Sequence, residues 1–335
     1  MDPVGVLRQI ALQLERAGAP TYRVRAFRRA AAVIAALPED ELARRVRDAT
    51  LTELSGIGAT TAGVVTDAVA GREPAYLTEV TTRGAPDLPD GGELLRALRG
   101  DCHTHSDYSD GGSSIEEMAL AARELGHEYL VLTDHSPRLT VARGLSAERL
   151  RGQLRVIAEL NPTLAPLRVL TGIEVDILPD GTLDQDPELL AELDVVVASV
   201  HSQLRMPEPE MTRRMLTAVA DPRVNILGHC TGRLLKGRGR PESRFDARAV
   251  FSACRDNDVA VEINSRPERL DPPRRLLRLA RELGCRFAID SDAHAPGQLS
   301  WLPYGCARAT ECGVRPADVV NTLPADEFIA WASGH

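Results

Sequence analysis

The sequence predicts an α/β protein in two parts: a parallel barrel of seven strand–helix units, preceded by a small all-α domain. Three observations predict it. Apolar residues recur at helical spacing up to about residue 80, whereas beyond residue 100 short strand-like runs alternate with helical stretches. Histidines and carboxylates stand at the ends of those runs. Measured at His105, His135, Glu174, His201, His229, position 262 and Asp292, the run ends succeed one another at intervals of 27 to 39 residues. That is the length of a strand-plus-helix unit, and right-handed crossovers of this period close a parallel barrel with every strand C-terminus on one face.

The first part, residues 1–80, carries Leu7, Ile10, Ala11 and Leu14 on one helical stripe, then Val24, Phe27 and Ala30 to Ile34, ending at Leu37-Pro38. Its ten arginines balance ten acids. Arg23, Arg25, Arg28 and Arg29 nevertheless fall within seven residues. Downstream, Leu54-Ser55-Gly56-Ile57-Gly58-Ala59-Thr60-Thr61-Ala62 sets Gly56 and Gly58 in a tight turn between amphipathic segments. It follows a helix rather than a strand, so a dinucleotide fingerprint is excluded. The turn resembles a helix-hairpin-helix element, whose amides and following helix N-terminus hold a nucleic-acid phosphate.

Residues 81–100, with Pro86, Pro89 and Asp90-Gly91-Gly92, are expected to be a linker closed by a short helix from Glu93 to Leu98. The barrel is expected over 101–335. Its strands are predicted at Asp101–His103, Tyr129–Leu132, Val169–Val175, Val195–Ala198, Val224–Leu227, Val259–Ile263 and Phe287–Ile289.

Composition narrows the function classes. The 335 residues bury a full core, and 43% hydrophobic with 26% charged residues is the profile of a soluble globular chain. No apolar run reaches the length of a membrane span and no signal peptide is recognisable, so no membrane association and a cytoplasmic location are expected. The net charge of −8 argues against a nucleic-acid grip by the whole surface and leaves room for a local basic patch. Six cysteines show no C-x-x-C spacing and read as buried thiols. Lys236 is the sole lysine, which leaves lysine Schiff-base chemistry almost no place.

Six of the eight histidines, His103, His105, His135, His201, His229 and His294, lie at or just after strand ends, as do Asp110, Glu174 and Asp292. Packing does not explain such repetition, and in a barrel these groups converge on one cavity. Nine ligands of this kind suit two or three divalent cations. A site so filled keeps positive charge and attracts an anion such as a phosphate ester. Two ions about 3.5 to 4 Å apart activate a hydroxide nucleophile and stabilise an in-line displacement.

His103-Thr104-His105 with Ser109-Asp110-Gly111, Thr133-Asp134-His135-Ser136-Pro137, Gly172-Ile173-Glu174, Ser199-Val200-His201-Ser202, Gly228-His229 and Ser291-Asp292-Ala293-His294 resemble, motif by motif, the polymerase and histidinol phosphatase (PHP) superfamily. The resemblance implies a distorted seven-stranded (β/α) barrel of PHP type, with a trinuclear centre of manganese or zinc, magnesium or iron being further options, that hydrolyses phosphoesters. By the same resemblance His103, His105, Glu174 and Asp292 hold one ion, and Glu174 bridges to a second held by His201 and His229. Asp110, His135 and His294 hold the third, while Glu174 and Asp292 are the carboxylates nearest the chemistry.

Pro20 to Ala31 with Leu54 to Ala62 resemble the helical DNA-binding domain of family X DNA polymerases, whose bacterial members carry this barrel at their carboxy end. The polymerase palm is missing. So is the lysine needed for lyase chemistry, Thr60, Val64 and Val65 standing in that helix.

The expected function is a metal-dependent DNA 3′-end exonuclease or phosphodiesterase, with Arg23, Arg25, Arg28, Arg29, Gly56 and Gly58 on gapped or 3′-ended DNA. A separate polymerase is a candidate partner. A small-molecule phosphatase of histidinol-phosphatase type is the alternative; an amidohydrolase is disfavoured because Lys236 lies in a loop and Glu174 takes the bridging position. Arg138, Arg143, Arg233 and Arg266, in loops after strand ends, are candidate phosphate contacts, with Tyr108 and Ser109 near the third metal position. His127 and His335 are bystanders.

Overall fold

The computed structural model describes residues 1–83 and 88–334. Residues 84–87 of the expected linker, with Pro86, lie outside the described residues, as does His335. The chain divides into two compact units, Met1–Leu88 with Pro296–Gln298, and Pro89–Ala295 with Leu299–His335.

The first unit is helical: α1 (Pro3–Arg16), α2 (Thr21–Ala35), α3 (Glu39–Arg47), α4 (Ala59–Val69) and α5 (Ala75–Arg83). Asp2 opens α1 by accepting from the Val4 and Gly5 amides, beside a proline at the first helical position. The apolar stripes read from the sequence meet in one core that includes Leu7, Ile10, Phe27, Ala30, Ile34 and Val65. A 3₁₀ turn (Leu51–Glu53) and Gly56, at φ +101°, lead into Gly58, which caps α4 through reciprocal bonds with the Thr61 hydroxyl. The left-handed φ at Gly56 is one that a side-chain-bearing residue adopts only with strain.

The second unit opens with α6 (Gly92–Ala97), so part of the expected linker is helical. Seven strands follow, β1 (Gly100–Thr104), β2 (Tyr129–Leu132), β3 (Arg168–Asp176), β4 (Val195–Ser199), β5 (Ile226–Leu227), β6 (Ala260–Asn264) and β7 (Phe287–Asp290). Each is hydrogen-bonded in parallel to the next, in chain order. A parallel bridge from Thr104 to Ala293 brings β1 back to β7 and nearly closes the barrel. Between the strands lie α7 (Ile115–Glu124), α8 (Ala147–Leu164), α9 (Pro187–Leu190), α10 (Glu208–Val219), α11 (Ala247–Asp256) and α12 (Arg274–Glu282), with α13 (Leu302–Glu311) and α14 (Ala325–Ala332) after β7. Among the described residues, no helix is long and apolar enough to cross a membrane.

The barrel interior changes character along its axis. Its lower layer is apolar, made by Tyr129, Val131, Leu170, Val195, Val197, Ile226, Ala260 and Ala288 with Phe328 of α14 below, stacked 4.8 Å from Tyr129. Side chains alternate along a strand, so the residues two positions on from Ala260 and Ala288 share their face; these are Glu262 and Asp290. In β1 the register shifts between Asp101 and Thr104. Such a bulge re-aims side chains; Cys102 belongs to the apolar layer, yet His103 and His105 join the polar one.

The loop after His135 returns on itself at Gly144. A Cβ there would lie 1.8 Å from the Ser136 carbonyl oxygen, a main-chain atom that cannot swing aside. Gly144→Ala is expected to cost about 3 kcal/mol or more in urea unfolding through overpacking. Gly152→Ala, on α8 with its nearest neighbour 3.8 Å away at the Arg155 guanidinium, is the control and should stabilise by up to about 1 kcal/mol. A neutral Gly144→Ala would show that the Ser136–Gly144 approach is not needed.

Candidate metal centre

The nine sequence-derived residues come together at the C-terminal mouth of the barrel. They form four overlapping groups whose donor atoms lie within 4.8 Å of one another: His105, Asp110, His135 and His294; His103, Glu174 and His229; His103, His105 and Asp292; His135, Glu174 and His201. Glu174, wholly buried on β3, is the hub. Its Oε1 lies 2.8 Å from His229 Nε2 and 3.1 Å from His201 Nε2. Its Oε2 lies 2.8 Å from His135 Nδ1, 3.3 Å from His103 Nε2 and 3.6 Å from His105 Nε2. Asp110 Oδ1 is 3.5 Å from His135 and 3.4 Å from His294. Asp110, 35% exposed, and His294 stand at the open rim, while His103 and His105 lie at the floor.

Opposed charges dominate the electrostatics. Burial would raise the acid of Glu174, but His201, His103 and His135 hold it well below the usual range. Asp292 is held down likewise, against its burial, by Arg266, His105 and Arg269. Burial disfavours a charged His201, yet Glu174 and Asp176 raise it to about 9. For His103, too, burial is overridden, by Glu174 and Glu262. His105 is pushed low by burial and by its neighbours His294 and His135; His229 is lowered by burial and Arg269.

Whether cations suit this mouth can be judged from its unsatisfied atoms. The buried His103 Nε2, His105 Nδ1 and Nε2, His135 Nδ1, His201 Nδ1 and Nε2, His229 Nδ1 and Glu174 Oε2 make no hydrogen bond among the described residues. Leaving so many polar atoms unpaired in one cavity is costly unless something else pairs them. Imidazole nitrogens and carboxylate oxygens without thiolate match manganese, zinc or iron(II). All six cysteines are free, buried and outside the four groups. The residues therefore fit a cluster of divalent ions.

The candidate arginines divide. Arg266 reaches the centre, with Nη1 3.3 Å from the Asp292 carbonyl oxygen and 3.1 Å from His294 Nδ1. Arg143 instead donates to the Asp107 and Ser109 carbonyls, holding the loop that carries Asp110. Arg233 donates to the Arg269 and Leu270 carbonyls. Arg138 is two-thirds exposed, 3.6 Å from Asp184. In the helical unit, Arg28 is spent on the buried Glu15 through two bonds of 3.0 and 2.9 Å, which corrects its reading as a free phosphate donor. Arg23 donates to the Tyr76 hydroxyl at 2.7 Å. Arg29 bonds Ser55 at 3.0 Å and packs over Gly56, where a Cβ would lie 2.6 Å from its Nε, while Arg25 is exposed. Tyr108 and Ser109 belong to the loop that carries Asp110, where the Tyr108 amide donates to the Ser106 hydroxyl and the Ser109 hydroxyl donates to Asp134.

Sequence reasoning passed over several residues that the fold brings to the centre. Asp134 also accepts from Ser106 and Gln153, and Asp176 accepts from the His201 amide at 3.0 Å. Asp101, its acid raised by burial to about 7, and Asp290 lie beneath. Arg269 Nε lies 3.0 Å from Asp292, and its buried Nη1 makes no hydrogen bond among the described residues. Glu262 and Asn264 complete the list. The available signal was polar residues two apart within otherwise apolar strands, as in Ala260-Val261-Glu262-Ile263-Asn264.

Residues 101–266 match the PHP domain family. A "Probable phosphatase" of Caldanaerobacter subterraneus subsp. tengcongensis is 30% identical over 61% of this chain and 79% of its own length. The chain belongs to the PHP family. The PHP barrel places it among metal-dependent phosphoester hydrolases, and residues 2–73 match a helix-hairpin-helix domain. The DNA polymerase/3′-5′ exonuclease PolX of Bacillus subtilis is 41% identical over 68% of the PHP chain, which spans 40% of that relative's length. The zinc-, L-histidinol- and phosphate-complexed histidinol phosphate phosphatase of Lactococcus lactis superposes with a TM-score of 0.46 at 20% identity, over 65% of this chain and 95% of that one.

Proposed function

We propose that this PHP-family chain is a DNA 3′-end processing phosphodiesterase or exonuclease, dependent on manganese or zinc. The observation that carries it is the coexistence, on one chain, of a helix-hairpin-helix unit and a barrel mouth on which nine histidines and carboxylates converge. The PolX relative's name supports the same reading. His103, His105, Asp110, His135, Glu174, His201, His229, Asp292 and His294 would hold the ions. When bound, these supply Lewis acidity, which neutralises phosphate charge and makes water acidic enough to attack at neutral pH. Glu174 supplies the shared negative charge that keeps its imidazoles on one point. Arg266 and Arg269, flanking Asp292, present guanidinium groups to phosphate oxygens. The α4 N-terminus with the Gly56–Gly58 amides, beside Arg29 and Arg25, holds a backbone phosphate of the substrate strand.

A small-molecule phosphatase is the second reading. It is favoured by the relatives that this chain matches along most of their length and that are named phosphatases.

The deciding experiment offers the metal-loaded protein a labelled strand in a gapped duplex, beside histidinol phosphate and a generic phosphomonoester. His103→Ala with His105→Ala is the inactive control. Trimming from the 3′ end that the control lacks is the expected result; monoester turnover with intact DNA would transfer the function to small-molecule metabolism.

A further inference from the structure

Strand β6 supplies none of the nine ligands, yet its two inward polar residues touch the ligands of three other strand ends. Glu262 is fully buried. Its Oε1 stands 2.5 Å from Nδ1 of His103, on β1 and 159 residues away in sequence. Its Oε2 accepts from the backbone amide of His229, after β5, at 2.5 Å, and from Asn264 Nδ2 at 3.3 Å. The same Asn264 Nδ2 donates to Asp292, after β7, at 3.1 Å. Asn264 Oδ1 accepts from the Arg266 amide, so its amide group has one satisfactory orientation, with the nitrogen toward the two carboxylates.

Resting on the metal-centre reading, we propose that Glu262 is the positioning residue that holds His103 in the Nδ1–H tautomer and keeps its Nε2 lone pair aimed at the ligand cluster. Glu262 Oε2 accepts from two fixed donors, the His229 amide and Asn264 Nδ2, and a carboxylate Oε1 offers no hydrogen, so the imidazole that meets Oε1 carries its proton on Nδ1. Nε2 is then left bare, 3.3 Å from Glu174 Oε2 and without a hydrogen bond among the described residues. A carboxylate behind a ligating histidine fixes ring orientation and raises ligand basicity, and its loss typically weakens metal binding about 10- to 100-fold. A merely structural acid would need its hydrogen bonds but would not select a tautomer.

Glu262→Gln separates the two roles. The amide keeps the shape but turns one acceptor into a donor. Placed toward His103 it demands the Nε2–H tautomer and blocks the ligand lone pair; placed toward His229 it opposes a backbone N–H. The full-length chain, freed of metal by chelation, would be titrated with Co²⁺ by visible absorption and with Mn²⁺ by calorimetry. Glu262→Gln should weaken one ion about 10- to 100-fold and leave an ion at the Asp110, His135 and His294 end at wild-type affinity. Equal stoichiometry and affinity in the two proteins would overturn the inference, whereas a wild-type chain that binds neither ion would overturn the metal-centre reading itself. ¹⁵N spectra of the metal-free wild type, with His103 assigned through His103→Gln, supply a test independent of the Glu262 variant's folding. A proton on Nδ1 is expected; a neutral ring protonated on Nε2 alone would refute the assignment.

Discussion

Glu174→Gln is expected to lower kcat/KM for phosphodiester hydrolysis by at least about a thousandfold, the scale seen when a member of an interdependent catalytic set is removed. The reason is how many partners one side chain serves. Its two oxygens lie 2.8 to 3.6 Å from five imidazoles drawn from β1 and from the ends of β2, β4 and β5. Glutamine keeps the volume but removes the charge and turns an NH₂ group toward nitrogen lone pairs. Fewer divalent ions should also remain bound after gel filtration, read by elemental analysis. Circular dichroism should show an intact fold, because the apolar layers below and outside the mouth are untouched. Activity within tenfold of wild type would remove Glu174 from the centre.

Arg25→Ala combined with Arg29→Ala is expected to weaken gapped-duplex binding about tenfold or more at low salt, and to reduce the slope of log affinity against log salt by between about 1 and 2. Arg29 lies on the Ser55–Gly56 turn and Arg25 is exposed one helical turn before it. Arg28→Ala is expected to do the reverse. It leaves the salt slope in place but costs about 3 kcal/mol of stability, because the buried Glu15 carboxylate loses its guanidinium. Fluorescence anisotropy over a salt series and urea unfolding measure the two effects. If the Arg25 and Arg29 pair left DNA affinity unchanged while Arg28→Ala lowered it, the assignment of the phosphate-facing side of α2 would be wrong.

Much of this architecture was legible in the sequence for a simple reason: local chemistry repeats with the period of the fold. Apolar runs near positions 130, 170, 196, 261 and 288 became β2, β3, β4, β6 and β7 because each is buried on both faces, as parallel strands covered by helices must be. A histidine or carboxylate at the end of a strand in such a barrel can only face the mouth, so the nine candidates could be named before any contact was known.

Which atom meets which partner was decided by the tertiary structure alone. The bulge in β1 that turns His103 and His105 inward after Cys102 is a matter of register with β2. Glu262 reads as one acid inside an apolar strand until barrel closure brings it to His103, and no spacing rule spans those 159 residues. The arginines show the limit from the other side. Chain position puts Arg143, Arg233 and Arg28 in suggestive places, but carbonyl oxygens and a buried carboxylate claim their guanidinium groups. A sequence determines where a side chain sits along its element and which face it takes. Its hydrogen-bond partner is chosen by short-range, directional contacts between elements that only tertiary folding brings together, within the helical unit as in the barrel.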